Sequence, residues 1–276
     1  MDDRTWLVLA TFLYLISAAW GAYTLGARRV SATRWNLALI LGAFSCHSVF
    51  LYLRGEEIRH CPVTNLFEVL AFLSWSLVLT YLVIGPVYRL SILGTFTSPL
   101  AFLLNFFALT APVDIPNQLP VMGPLVELHI ALSVMSIGIL GLAALTGLAY
   151  LIQERQLKRR DLTSWFYSLP PMGELEAAHR RVLTFAFGLF SIGLLIGFFI
   201  PHDSVSDWVK ITWSGMVWAL YGAILLAPRW LPLSHKKIAW CSVGGYVFVL
   251  LTFWGVNSFS SMHQFTAQPP ASEQRT

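Results

Sequence analysis

The seven histidines of this 276-residue chain are its most ligand-like side chains, and what they can do depends on where they fall. His129 opens an apolar run (LVELHIALSVMSIG), and His263 follows another (FWGVNSFSSMHQF). Neutral imidazole is a common axial ligand to haem iron. Two such residues on different helices, at one membrane depth, have the chemistry to grip a planar porphyrin from both sides. Spacing does not show that they meet, and interfacial histidines also have an ordinary role in hydrogen bonding to headgroups and water. His60 and His202 fall beside other apolar runs, and His47 falls within one. His179 and His235 lie in strongly basic stretches, where the simplest expectation is solvated loop residues.

Two polar thresholds accompany these histidines. In HCPVTNLFEVLAFLSW, residues 60 to 75, Pro62 suits the position just ahead of a helix, where its missing N–H costs little. Asn65 followed by Glu68 reads as an N-cap with a carboxylate at the third helical position, a capping box with Asn in place of Ser or Thr. In IPHDSVSDWVKITWSGMVWALYG, Asp207, Trp208, Lys210 and Trp213 admit two readings. One is an aromatic platform for a flat ligand, with Lys210 placed to pair with a propionate. The other is interfacial indoles with a helical i,i+3 ion pair. His60 and Cys61 are adjacent but amount to half a metal site. Cys46, Cys61 and Cys241 make no disulfide framework. The chain has no Walker loop, GxSxG, HExxH or dinucleotide fingerprint.

The elements that must position these residues follow from composition. Hydrophobic residues make up 56% of the chain and charged residues only 12%, whereas a soluble domain carries about a quarter charged residues. Runs of about 20 apolar residues are long enough to cross a bilayer. Eight such spans are predicted, over 6–26, 37–53, 66–85, 90–110, 128–152, 182–200, 211–228 and 239–258. The fold class is therefore all-α: a polytopic membrane protein with one integral membrane domain over 1–265 and a short disordered tail over 266–276. The net charge of +4 is not a nucleic-acid footprint, because its cations are sorted by loop. Arg28, Arg29, Arg34, Arg89, Arg155, Lys158, Arg159, Arg160, Arg180, Arg181, Arg229, Lys236 and Lys237 all fall in alternate loops. The positive-inside rule puts those loops in the cytoplasm and both termini outside. His129 and His263 then share the extracytoplasmic face.

Three stretches resemble the cytochrome c assembly proteins of the CcsA/ResC type, in their short HemX-like form. RGEEIRHCPVTNLFEVLAFLSW matches an arginine-glycine loop followed by P-x-x-N-x-aromatic-E and F-L-S-W, here Arg54, Pro62, Asn65, Glu68 and Trp75. The long basic loop carries the markers Pro170, Pro171 and Glu176. WGVNSFSSMHQF matches the last span with its external histidine, His263, and His129 matches the other external histidine. The resemblance implies a b-type, non-covalent haem held at the outer face between His129 and His263. Its implied partners are a CcsB/ResB-type membrane subunit and apocytochrome c, in a bacterial cytoplasmic (inner) membrane.

The chain departs from the larger members of that family at two points. Their loop reading approximately W-G-x-x-W-x-W-D-P-K-E is reduced to HDSVSDWVKITW, with Asp207 and Lys210 as its remnants. Where they carry a histidine near the end of span seven, this chain has Leu226. The expectation is a haem-handling protein of cytochrome c maturation or haem-supply regulation that does not catalyse attachment on its own. The competing readings are a small-solute or ion transporter, permitted by His47, Asn105 and Asn257, and a haem-free membrane regulatory partner.

Overall fold

The computed structural model describes residues 2–27, 33–59, 61–63, 65–87, 93–110, 123–159, 171–200 and 207–258. The described residues form eight helices: α1 (Asp3–Ala27), α2 (Thr33–Ile58), α3 (Leu66–Val87), α4 (Gly94–Thr110), α5 (Pro124–Arg159), α6 (Met172–Phe198), α7 (Asp207–Trp230) and α8 (His235–Ser258). Seven are long and apolar enough to cross a membrane, and α4 is a shorter apolar helix of 17 residues. In hydrocarbon every backbone polar group must be satisfied within the segment, and the α-helix does this locally. The chain is an all-helical, multi-span membrane protein, and each predicted span coincides with one helix.

The helices pack as two groups of four. In the first, α1 lies against α2 and α4, and α3 against α4; in the second, α6 and α8 flank α5, and α7 packs on both of them. The principal seam between the groups is α3 against α5. Close approach there depends on glycine. A Cβ at Gly138 of α5 would overlap Ser76 Oγ and lie 2.9 Å from the Leu73 carbonyl oxygen of α3. Farther along α5, a Cβ at Gly141 would meet the Tyr246 hydroxyl of α8 at 2.6 Å. Helix association in lipid relies on van der Waals contact, and small residues let backbones approach.

Two helices outrun their apolar spans, and this overturns one expectation. α5 has 36 residues, so it is about 54 Å long at 1.5 Å per residue and projects past the bilayer core. Its last turns are held by Glu154, which pairs with Lys158 at 2.6 Å and with Lys236 of α8 at 3.5 Å. α6 begins at Met172, about three turns ahead of its apolar run. His179 therefore lies on a helix face packed against Gly147 of α5, fully buried, and is not a solvated loop residue. His235 opens α8 beside it: His179 Nδ1 and His235 Nε2 are 3.1 Å apart, and Tyr150 meets the His235 ring edge-on at 4.6 Å. Apolar periodicity marks the membrane-embedded part of a helix and is silent about its polar extension, hence the misassignment.

The glycine seam yields a direct expectation. Gly138→Ala forces α3 and α5 apart and destabilises the fold by about 1–3 kcal/mol, the usual range for overpacking. Gly123→Ala, where an added Cβ meets nothing within 4 Å, serves as the control. Thermal-shift measurements on both purified variants in one detergent check the difference.

Candidate functional site

One face of the bundle gathers the start of α1, the end of α2, the start of α3 and the end of α4 around a buried ion pair. Asn65 caps α3 as its sequence predicts, its Oδ1 accepting the Glu68 N–H at 2.9 Å. The Glu68 carboxylate, fully buried, receives Arg54 Nε at 2.9 Å. Arg54 is itself 5% exposed, and its Nη1 reaches Asp3 of α1 at 3.3 Å and Glu57 at 3.7 Å. Phe67 lies between two guanidiniums, with Arg54 at 5.8 Å and Arg4 at 5.7 Å from its ring centre. Arg4 also donates to the Leu109 carbonyl in the last turn of α4 at 3.1 Å, satisfying an acceptor that the helix end leaves open. One guanidinium–carboxylate pair and its neighbours thus tie four helices together at one level.

The loop ahead of α3 extends this network toward α5. α2 ends on Arg59 in the left-handed region, φ 60°, with its N–H donating to the Gly55 carbonyl. Pro62 is buried, and the Val63 N–H closes a tight turn onto the Cys61 carbonyl at 2.8 Å. Burial, and then the carboxylates of Glu127 and Glu68, push the Cys61 thiol up to about 11. Cys61 is thereby a neighbour of both the ion pair and the first turn of α5. Trp75 anchors the next turns of α3 on α2, donating to Ser48 Oγ at 2.9 Å and stacking on Phe44 at 5.6 Å.

His129 stands on the same face, one turn into α5 and half-buried. Its Nδ1 lies 2.8 Å from the Gly193 carbonyl oxygen of α6. A carbonyl only accepts, so this contact puts a hydrogen on Nδ1. The ring is seated by the small-residue pair Gly193 and Gly197: a Cβ at Gly197 would stand 2.7 Å from His129 Cε1. A ring nitrogen that donates to a backbone carbonyl is an orienting contact also common in metal-ligating histidines.

A profile described as Cytochrome C assembly protein matches residues 63–263, most of the chain. The chain belongs to the cytochrome c assembly protein family. It is similar to the Cytochrome c biogenesis protein CcsA of Guillardia theta, 23% identical over 234 residues covering 76% of this chain and 78% of the relative. The CcsA of Synechococcus sp. strain RCC307 is 25% identical, with 84% of each chain covered, and that of Chlamydomonas reinhardtii is 26% identical over 80% of this chain and 63% of the relative.

In this family member the remaining predicted residues divide between exposed and buried positions. Trp208, 62% exposed, and the half-buried Lys210 lie in the first turn of α7, which Asp207 begins. Trp213 is 7% exposed and donates from Nε1 to Thr252 Oγ1 at 2.8 Å, binding α7 to α8. Pro171 precedes α6, its carbonyl accepting from Glu174 and Leu175 at 3.0 and 3.2 Å. Glu176 is exposed, with Oε1 3.6 Å from His235 Nδ1. His263, Pro170, His60, His202 and the tail over 266–276 lie outside the described residues. Sequence reasoning missed Asp3, Arg4, Gly193 and Gly197. The glycine pair had a readable signal, small-xxx-small in SIGLLIGF. The charged start MDDRT had none that named its partners.

Truncating one member of the buried pair leaves an uncompensated charge, so Glu68→Ala costs about 3–5 kcal/mol. Glu68→Gln, which keeps an acceptor for Arg54, costs less, and heat-induced aggregation of the two variants gives the order. The raised thiol value makes Cys61 a neutral thiol up to about pH 11. In a Cys46→Ser/Cys241→Ser background, the rate of maleimide labelling is expected to keep rising past pH 9 instead of levelling there.

Proposed function

We propose that this family member handles haem for cytochrome c assembly, holding a b-type, non-covalent haem at the extracytoplasmic face of a bacterial cytoplasmic membrane. The observation that carries the reading is the His129 imidazole, set at the start of α5 and held by its Nδ1 on the Gly193 carbonyl of α6. The names of its relatives, cytochrome c biogenesis protein CcsA, support the process in which this takes place.

The donor set suits haem. His129 would hold the haem iron together with His263, which follows α8 in the chain. The half-exposed Trp208 offers a flat apolar surface, and Lys210 with Asp207 belongs to the same first turn of α7, where a cation suits a propionate. Trp213 supports that turn from beneath through its bond to Thr252. When bound, haem supplies the porphyrin that a c-type cytochrome receives. The chain's own residues orient that group, hold one imidazole in place and leave the outer edge accessible. A CcsB/ResB-type subunit and the CxxCH segment of apocytochrome c are the partners this role requires. The cationic loops, read by the positive-inside rule, set the orientation.

Protein purified from haem-replete cells is expected to show a Soret band that is lost in both His129→Ala and His263→Ala. Gly197→Ala, which drives a Cβ into the His129 ring, shifts and weakens the band without touching iron. A haem-free preparation, or a spectrum indifferent to all three changes, overturns the assignment.

A further inference from the structure

On the basic face, away from the rim just described, α3, α5 and α6 enclose a furrow of about 430 Å³. Val83, Ile84, Met135, Ile139 and Phe185 form its apolar walls, and Arg181 is the one charged residue lining it among the described residues. The Thr80 hydroxyl within the furrow is spent on the Ser76 carbonyl at 2.8 Å, so the floor offers no polar anchor. Val83 and Phe185 are exposed, so the furrow opens on the outside of the bundle.

We propose that this furrow binds one anionic phospholipid. Arg181 is exposed and immediately precedes the apolar stretch VLTFAFGLFSIGLLIG, which puts its guanidinium at headgroup depth. Phe185, one turn further into α6, and the α5 residues Met135 and Ile139 continue the furrow toward the hydrocarbon core. An opening on the outside of a membrane-spanning bundle faces lipid, so the occupant matching its length and apolar walls is an acyl chain. The charge above it selects a phosphate headgroup, as basic pockets between transmembrane helices do. The furrow also follows the seam where α3 of the first helix group meets α5 of the second. A chain lying there touches both groups. In the orientation proposed above, the lipid comes from the cytoplasmic leaflet.

The test uses the full chain in vesicles containing photoactivatable phosphatidylglycerol or, separately, photoactivatable phosphatidylcholine, with cross-links mapped by mass spectrometry. Phosphatidylglycerol is expected to label residues 79–84, 135–139 and 181–185 several-fold more than phosphatidylcholine. Arg181→Gln lowers that preference about fivefold, and Arg181→Lys restores most of it. Val83→Trp, which fills an exposed part of the furrow, lowers labelling by both lipids. Gel filtration confirms that each variant remains monodisperse, as expected for exposed positions. Equal labelling by the two lipids, unmoved by Arg181→Gln, overturns the proposal. So does a co-purifying membrane polypeptide that cross-links to a photoreactive residue at position 83 while lipid labelling is absent.

Discussion

A buried guanidinium and a buried carboxylate set the constraint around which the first half of this protein is arranged. Arg54 and Glu68 lie on different helices, in a region where an unpaired charge costs several kcal/mol. They must meet, and more of the arginine's hydrogens must find partners nearby. Asp3 takes a second arm of the arginine, and Phe67 presents its ring to it. Asn65 caps the helix that carries the glutamate, while Arg4 closes the end of α4. The position of α3 is therefore specified at its first turn, before any apolar packing lower in the bundle. A short polar motif that looks like a helix start is also the junction of four helices.

From α3 the constraint passes to α5. Gly138 lets the two backbones approach, and Cys61, in the loop ahead of α3, feels the charge of Glu127 in the first turn of α5. α5 in turn carries His129 at its start and the Glu154 anchor near its end, so one long helix spans both faces. The His129 imidazole owes its direction to α6, where the Gly193 carbonyl orients the ring and Gly197 makes room for it. The orientation of this ring is a product of helix packing, not of residues adjacent to it in the chain.

The two faces solve their electrostatics differently. At the rim, Arg4 and Arg54 are drawn inward and paired with carboxylates, carbonyls and an aromatic ring. On the opposite face the cations are numerous and stay at the surface, as Arg180, Arg181 and Lys236 do. Cations buried in one place tie helices together, while those at the surface keep their heads in the polar surroundings. The buried His179–His235 pair is the exception on the basic face, and it closes α6 onto α8 where both helices leave the membrane.

The sequence by itself determined the number and order of the helices, the Asn65 cap and the family. Each of these is carried by residues close together in the chain: a 20-residue apolar run, a cap three residues from its N–H, a contiguous motif. The tertiary structure alone decided that Glu68 faces Arg54, that Trp213 is buried against Thr252 and that His179 meets His235. It also decided that Arg4 reaches across 105 residues to Leu109. The physical reason lies in the solvent. In lipid every helix is apolar around most of its surface, so hydropathy does not mark the face that meets a neighbour. Only the fitted contact of glycine against side chain, and of charge against charge, makes that choice.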